Sequence, residues 1–384
     1  VLLGPPPLGS EFEKDVGLDW LFQARGPIEP PPEVAGVPIN ERDIDGLGLP
    51  KLPRDWPRSI HGQLIEQLVA RGASTIIFDM DFQRPKDADD DAEFARAVAA
   101  AERVVLFERL NGKRQPMYDM EGNLTGTIWV EELVPPIPAL AEAAKALAPF
   151  PVPKVQVNVY QFWPFKPSAG DVPTMPSAAL QVHALPVLER FLDVLERAGT
   201  EGLEGLPRRP ADVGRAAGVD QLMYRLRSAF AGDPDLAGRV GEVLAGDWGQ
   251  EALSADERRL IRALAGLYSG PDNRYLNFYG TPGSIPNIPY NAVLKGGSDT
   301  VSAAALDFTG KVVFVGFSDL YDPGQPDRFY TVFTNEDGVD LSGVEIAATA
   351  FANLLTDRSL KPLGAVATAV ILMLIGLVLG TGIY

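Results

Sequence analysis

The chain has 384 residues, 46% of them hydrophobic and 22% charged, which suffices for one large or two ordinary globular domains with a substantial core. Its formal charge of -17, from 51 acidic against 34 basic residues, argues against nucleic acid as a partner, because phosphate contacts need clustered Lys and Arg and no such cluster occurs. The absence of cysteine excludes a disulfide framework and thiolate metal sites, and two histidines, His61 and His183, leave little for His-based ligation, so neither cofactor nor metal is expected.

In chain order, "VLLGPPPLG" is too short for a signal peptide and reads either as the last turn of an earlier membrane span or as a loose start, within an N-terminal segment 1–33. A strand is expected near "EVAGVPI", where Gly36 and Pro38 suit a sheet edge better than its centre. "SIHGQLIEQLVARGA" spaces Ile60, Leu64, Ile65, Leu68 and Val69 as one face of a helix, and Gly72 stops it. "TIIF" (75–78) follows as a strand buried on both faces. "DAEFARAVAAA" (91–101) is a second amphipathic helix and "VVLFE" (104–108) a second buried strand. Such alternation predicts βαβ units on a largely parallel sheet. "KVQVNVYQF" (154–162) alternates as a strand with one wet face. From about Leu185 to Leu267 the pattern turns helical and Gly-punctuated, a helical insertion whose Arg225 and Arg227 read as solvated faces. "GKVVFVG" (310–316) returns to a buried strand, and "GVEIAATAFANLL" (343–355) is a helix with Val344, Ala347, Ala348, Phe351, Leu354 and Leu355 facing inward. Only "TDRSLKP" separates that helix from "LGAVATAVILMLIGLVLGTGIY" (363–384), an uncharged run of the length a bilayer span requires. The fold class predicted is therefore α/β: a largely parallel sheet with flanking helices, a helical insertion in the middle and a C-terminal transmembrane helix.

Chemistry-bearing motifs leave alternatives open. "TIIFDMDF" ends an apolar strand in Asp79-x-Asp81, the local form in which haloacid-dehalogenase-type phosphohydrolases present a nucleophile and an acid/base beside Mg²⁺. That chemistry also needs a late acidic pair, which no later strand supplies, although Ser318 stands where the second element would. In the acid run, Asp90 is placed to cap a helix starting at Asp91 with Glu93 reaching back, and the spacing does not match a Ca²⁺ loop. "GFSDL" (316–320) lacks the second glycine of a nucleophile elbow. "YGTPGS" (279–284) lacks the Lys of a P-loop and reads as a turn. His61 reads as a helix-surface or core-edge residue rather than a ligand.

Taken together, several blocks resemble a known family. "LPRDWPRSIHGQLIEQLVARGASTIIFDMDF" and "DDDAEFARAVAAAERVVLF" are similar to the opening of a CHASE type-two domain, the second class of cyclase/histidine-kinase-associated sensory extracellular domains. "MPSAALQVHAL" (175–185), "LNFYGTPGSIPNIPYNAVLKG" (276–296), "FTGKVVFVGFSD" (308–319), "DRFYTVFT" (327–334) and "LSGVEIAATAFANLL" (341–355) follow in the family's order. The resemblance implies an extracytoplasmic sensor over residues 34–360 of a bacterial inner-membrane receptor. It also implies a cytoplasmic output module, most commonly a nucleotide cyclase, otherwise a histidine or Ser/Thr kinase or a diguanylate cyclase. Such receptors are expected to work as homodimers. The expected partners are thus the membrane, a second copy of the chain and an unidentified extracytoplasmic ligand. A membrane-tethered phosphohydrolase using Asp79 and Asp81 and a purely structural dimerisation module are the rival readings. Because ligands of open parallel sheets sit beyond the carboxyl ends of the strands, the candidate site is Asp79, Asp81, Ser318, Asp319, Asp327 and Arg328, with Asp79 paired to Arg58 or capping a turn as the plain structural alternative.

Overall fold

The computed structural model describes residues 18–52, 55–119, 121–152, 159–297, 301–318, 328–334, 340–358 and 360, with a few positions between 369 and 377. Five short apolar runs become strands: β1 (Val34–Ile39), β2 (Thr75–Asp79), β3 (Val104–Phe107), β6 (Ala146–Ala148) and β7 (Val312–Phe317). They form one all-parallel sheet in the order β1-β7-β2-β3-β6. Their near-continuous Val, Ile, Leu and Phe content follows from burial on both faces. Val34, Ile77, Val105, Val312 and Phe314 point into one core. Ala35, Val37, Ile76, Phe78, Val104, Leu106, Val313 and Val315 point into the other.

The second core is covered by α2 (Glu41–Leu47), α3 (Ser59–Ala70), α4 (Ala88–Ala101), α5 (Pro138–Ala143) and α12 (Tyr290–Lys295), through Ile44, Leu64, Ile65, Leu68, Phe94, Val98, Leu140 and Val293, while α1 (Leu18–Arg25) reaches the first through Phe22. The first is covered by α6 (Met175–His183), the helices of the expected insertion and α13 (Gly343–Thr356). That insertion comprises α7 (Leu188–Arg197), α8 (Ala216–Gly232), α9 (Leu236–Ala245), α10 (Asp247–Ala252) and α11 (Ala255–Ser269). Arg227 of α8 departs from the solvated-face expectation: it pairs with Asp171 and Asp272 and lies 4.6 Å from the Phe165 ring centroid, because the aromatic wall below it is partly covered by its own stem.

β1 sits at the sheet edge, as its composition predicts. Its outer side is taken by residues 286–288, with Gly36 N donating to Pro286 O at 2.9 Å and accepting at its own O from Ile288 N at 2.9 Å. A Cβ at Gly36 would lie 2.1 Å from Asn287 Oδ1, so any larger residue there has to displace that side chain. An element absent from the sequence reading is a long antiparallel hairpin, β4 (Arg109–Tyr118) with β5 (Leu124–Val134), exposed along most of its length. The strand expected over 154–162 lies mostly outside the described residues; its end, Gln161–Phe162, forms a two-residue ladder with Arg274–Tyr275. Most of the apolar run from Leu363 is likewise outside them, and among the described residues no helix is long and apolar enough to cross a membrane.

α13 is buried at every position from Gly343 to Leu355 and packs on β1, β7, α6 and α11. A helix apolar on all sides can only be satisfied inside a core. Its one buried amide is paired on both sides, and its one buried carboxylate is paired through Oε1, while Oε2 is buried without a hydrogen-bond partner. Asn353 accepts from Asn277 N at 2.7 Å and donates to Asn277 O at 3.0 Å. Glu345 accepts from Gly283 N at 2.8 Å, in the type II turn that Pro282 and positive-φ Gly283 build within "YGTPGS".

Candidate functional site

The chain leaves β1 and β2 toward α3 and α4 on one face of the sheet, and leaves β7, which lies between them, toward α13 on the other. Such a reversal marks the carboxyl end of β7 as the usual ligand position in an open α/β sheet, although none of the five cavities found among the described residues is lined by Asp79 or Ser318. Ser318 is the first residue past β7; it is buried, and its N donates to Ile39 O at 2.9 Å. Asp79 closes β2 opposite Gly316 in register and is half-buried. Gly316 makes the junction possible: a Cβ there would lie 3.1 Å from Val344 Cβ of α13 and 3.3 Å from Asp79 Cβ. The structure thus brings Asp79, Ser318 and the start of α13 together at one strand end. Asp319 and Asp327 lie outside the described residues, and Arg328 begins a two-residue ladder with Leu341–Ser342 just ahead of α13.

Asp81 goes elsewhere. Its Oδ1 accepts from Gln83 N at 2.9 Å in an Asx turn, and its Oδ2 pairs with Arg109. It lines a cavity of about 630 Å³ with Arg58, His61, Arg84, Lys86 and Arg109, and Asp79 is not part of that wall. Among the described residues no group of three or more His, Asp or Glu is arranged to hold a metal.

Arg58 and the acid run form the wall's frame, in a way that corrects two expectations. Arg58 does not pair with Asp79; its Nη1 meets Asp91 Oδ1 at 2.7 Å, with both side chains buried. Asp90 does not cap its own helix. Asp87 does, accepting from Asp89 N and Asp90 N at 3.1 and 3.2 Å, while Asp90 caps α3 by accepting from Ser59 N at 2.9 Å and from Arg58 N. Asp91 Oδ2 accepts Lys86 N at 3.0 Å, and Lys86 Nζ donates to Trp56 O at 2.6 Å. Consecutive acids therefore tie α3, α4 and the loop after β2 into one unit.

His61 is neither at the surface nor at the core edge. It is wholly buried within Trp56, Phe78, Phe82 and Phe94, and its Nδ1 lies 2.8 Å from Tyr290 Oη. Burial, aided by the charges of Lys86 and Arg58, lowers its pKa to about 3, so it stays neutral. Sequence reasoning missed an acid at the next strand end. Glu108 follows β3 and shares a cavity of about 170 Å³ with Asp220 of α8. Burial, then the nearby Asp220, raises Glu108 to about 7, and burial raises Asp220 to about 6. Its signal was present, since "VVLFE" ends in acid as "TIIFD" does.

The fold defined by these elements is a three-layer α/β module with a reversal of strand order at β7 and a wholly buried helix α13. The chain belongs to the CHASE2 domain family, whose model matches residues 7–382, essentially its whole length. This is a family of sensory extracellular domains of signalling receptors. No curated protein and no solved structure matches the chain.

Proposed function

We propose that residues 34–360 are the extracytoplasmic sensor of a bacterial inner-membrane receptor that relays its signal through α13 into a membrane span at 363–384. The observation that carries this reading is the mounting of α13. Its amino end packs through Val344 against Gly316, beside Asp79, at the carboxyl ends of β7 and β2. Its carboxyl end passes through Asp357, in the left-handed conformation, to Leu360, which bridges to Tyr275 three residues ahead of the apolar run. A ligand at these strand ends acts on one end of a rigid helix, and so few residues at the other end leave little slack to absorb a shift. Asp79 and Ser318, with Asp319, Asp327 and Arg328 in the segment that follows, are the residues we assign to that ligand. The output is a cytoplasmic module, a nucleotide cyclase before a kinase or diguanylate cyclase, and the receptor acts as a homodimer. The test is a fusion of a reporter enzyme active only outside the cytoplasm, inserted just before Leu363 with the native N-terminal segment kept. Activity is expected; silence alongside an active cytoplasmic reporter at the same position would overturn the proposal.

A further inference from the structure

A further cavity lies at the amino-terminal rim of the sheet, opposite the strand ends that carry Asp79 and Ser318. Arg103 and Lys145 each immediately precede a strand, β3 and β6, and Ser74 holds the same place before β2. Arg215, at the N-cap of α8, closes the group from the helical insertion. These four, with Glu102, His183 and an apolar wall that includes Val182 and Leu185, line about 590 Å³, a volume suited to a small molecule.

The charge balance of this cavity is unusual for a chain of net charge -17. Each cation donates only to backbone carbonyls: Arg103 to Ala101 O at 3.0 Å and Ala73 O at 2.9 Å, Lys145 to Gly214 O, and Arg215 to Ala143 O and, at 3.5 Å, Ala99 O. Among the described residues none of the three makes an ion pair, and Glu102, exposed at the mouth, is the only acid lining the cavity. Carbonyls satisfy hydrogen bonds without cancelling charge, and the exposed Arg215 repels Lys145. Lys145 is buried, and its pKa is lowered chiefly by that burial, with the attraction of Glu102 opposing the shift and the repulsion of Arg215 adding to it. His183 adds no charge. Ser74 Oγ donates to Lys311 O at 2.9 Å and therefore accepts from His183 Nδ1 at 2.9 Å, leaving Nε2 as an acceptor.

We propose that this rim cavity binds a compact oxyanion carrying at least two negative charges, of phosphate or polycarboxylate type. Arg103, Lys145 and Arg215 supply the charge-assisted hydrogen bonds. Its occupant is felt by the final helix, because His183 packs edge-on against Phe351 of α13, ring centroids 6.2 Å apart. Binding at this site does not depend on which side of a membrane the domain faces, so it stands or falls separately from the receptor proposal.

The test uses the full 384-residue chain in detergent, with thermal unfolding and titration calorimetry against pyrophosphate, citrate and, at equal ionic strength, sodium chloride. At least one of the two polyanions is expected to bind and raise the Tm beyond the chloride control. A response to pyrophosphate alone marks a phosphate ligand, and one to citrate alone a carboxylate ligand. Arg215→Gln and Arg103→Gln are each expected to weaken binding about tenfold or more, while Lys113→Gln, paired with Glu132 on the exposed β4–β5 hairpin that departs from the other end of β3, leaves it unchanged. Failure of both anions to exceed chloride, or binding that Arg215→Gln and Arg103→Gln leave intact, would overturn the proposal.

Discussion

Replacing Asp91 by Ala removes the anion from a buried pair and leaves the Arg58 guanidinium without a carboxylate partner. Arg58 is 3% exposed, and its remaining contacts are Asp90, which is committed to the α3 N-terminus, and the carbonyls of Phe82 and Arg84. Breaking a buried pair by deleting one member typically costs about 3–5 kcal/mol. The residual attraction of Asp90 places this case near the lower figure, and the lost acceptor for Lys86 N adds about 1 kcal/mol. We therefore expect Asp91→Ala to destabilise the domain by about 4 kcal/mol in urea unfolding. Trp56 is a built-in probe, wholly buried and hydrogen-bonded to Pro50 O at 2.7 Å. The double variant Arg58→Met/Asp91→Leu removes both charges and fills the space, and it is expected to recover at least half of that loss. A cost below about 1 kcal/mol for Asp91→Ala, or a double variant as unstable as the sum of the singles, would refute the reasoning.

Two further predictions concern α13. Glu345, raised by burial to about 7 against an ordinary 4.5, holds its proton more tightly in the folded chain. Its ionisation penalty is absent below about pH 4.5, grows up to about pH 7 and is then constant, so the stability gap between Glu345→Gln and the parent should open from near zero to about 3 kcal/mol across that window; a gap that does not change with pH counts against it. Gly316→Val puts atoms where Val344 and Asp79 already stand and is expected to cost about 1–3 kcal/mol by overpacking, with Gly316→Ala milder. Equal stability of all three chains in denaturant would show that the junction yields freely.

The elements that sequence reading placed well are those whose period is enforced by burial on a known face. α3, β2, α4, β3, β7 and α13 all carry uninterrupted apolar signals, and Gly36 with Pro38 marked the edge strand. The β4–β5 hairpin escaped because nothing buries it. Lys113, Arg114 and Pro116 interrupt any alternation, and Gly112 is there to let the Trp129 ring lie over the facing strand. The site was legible only as strand ends. Asp79 and Ser318 are brought to one junction, but the fates of Asp81, Asp90 and Arg58 depended on Arg109, Ser59 and Asp91, partners that several nearby acids could have matched equally well from spacing alone. The rim cations were invisible for the same reason: Arg103, Lys145 and Arg215 meet only after the β3–β6 crossover and the return of the helical insertion.

The sealed flank of β1 limits how two copies of this domain can join. Gly36 has spent both its backbone groups on residues 286–288, and Pro38 has no N–H to offer. At the opposite margin β6 is three residues long, too short a template for a neighbour's strand. Growth of the sheet from molecule to molecule is therefore closed at both ends. A symmetric pair has to meet through helices or through the projecting β4–β5 arm, surfaces that can rotate against each other without breaking a backbone ladder.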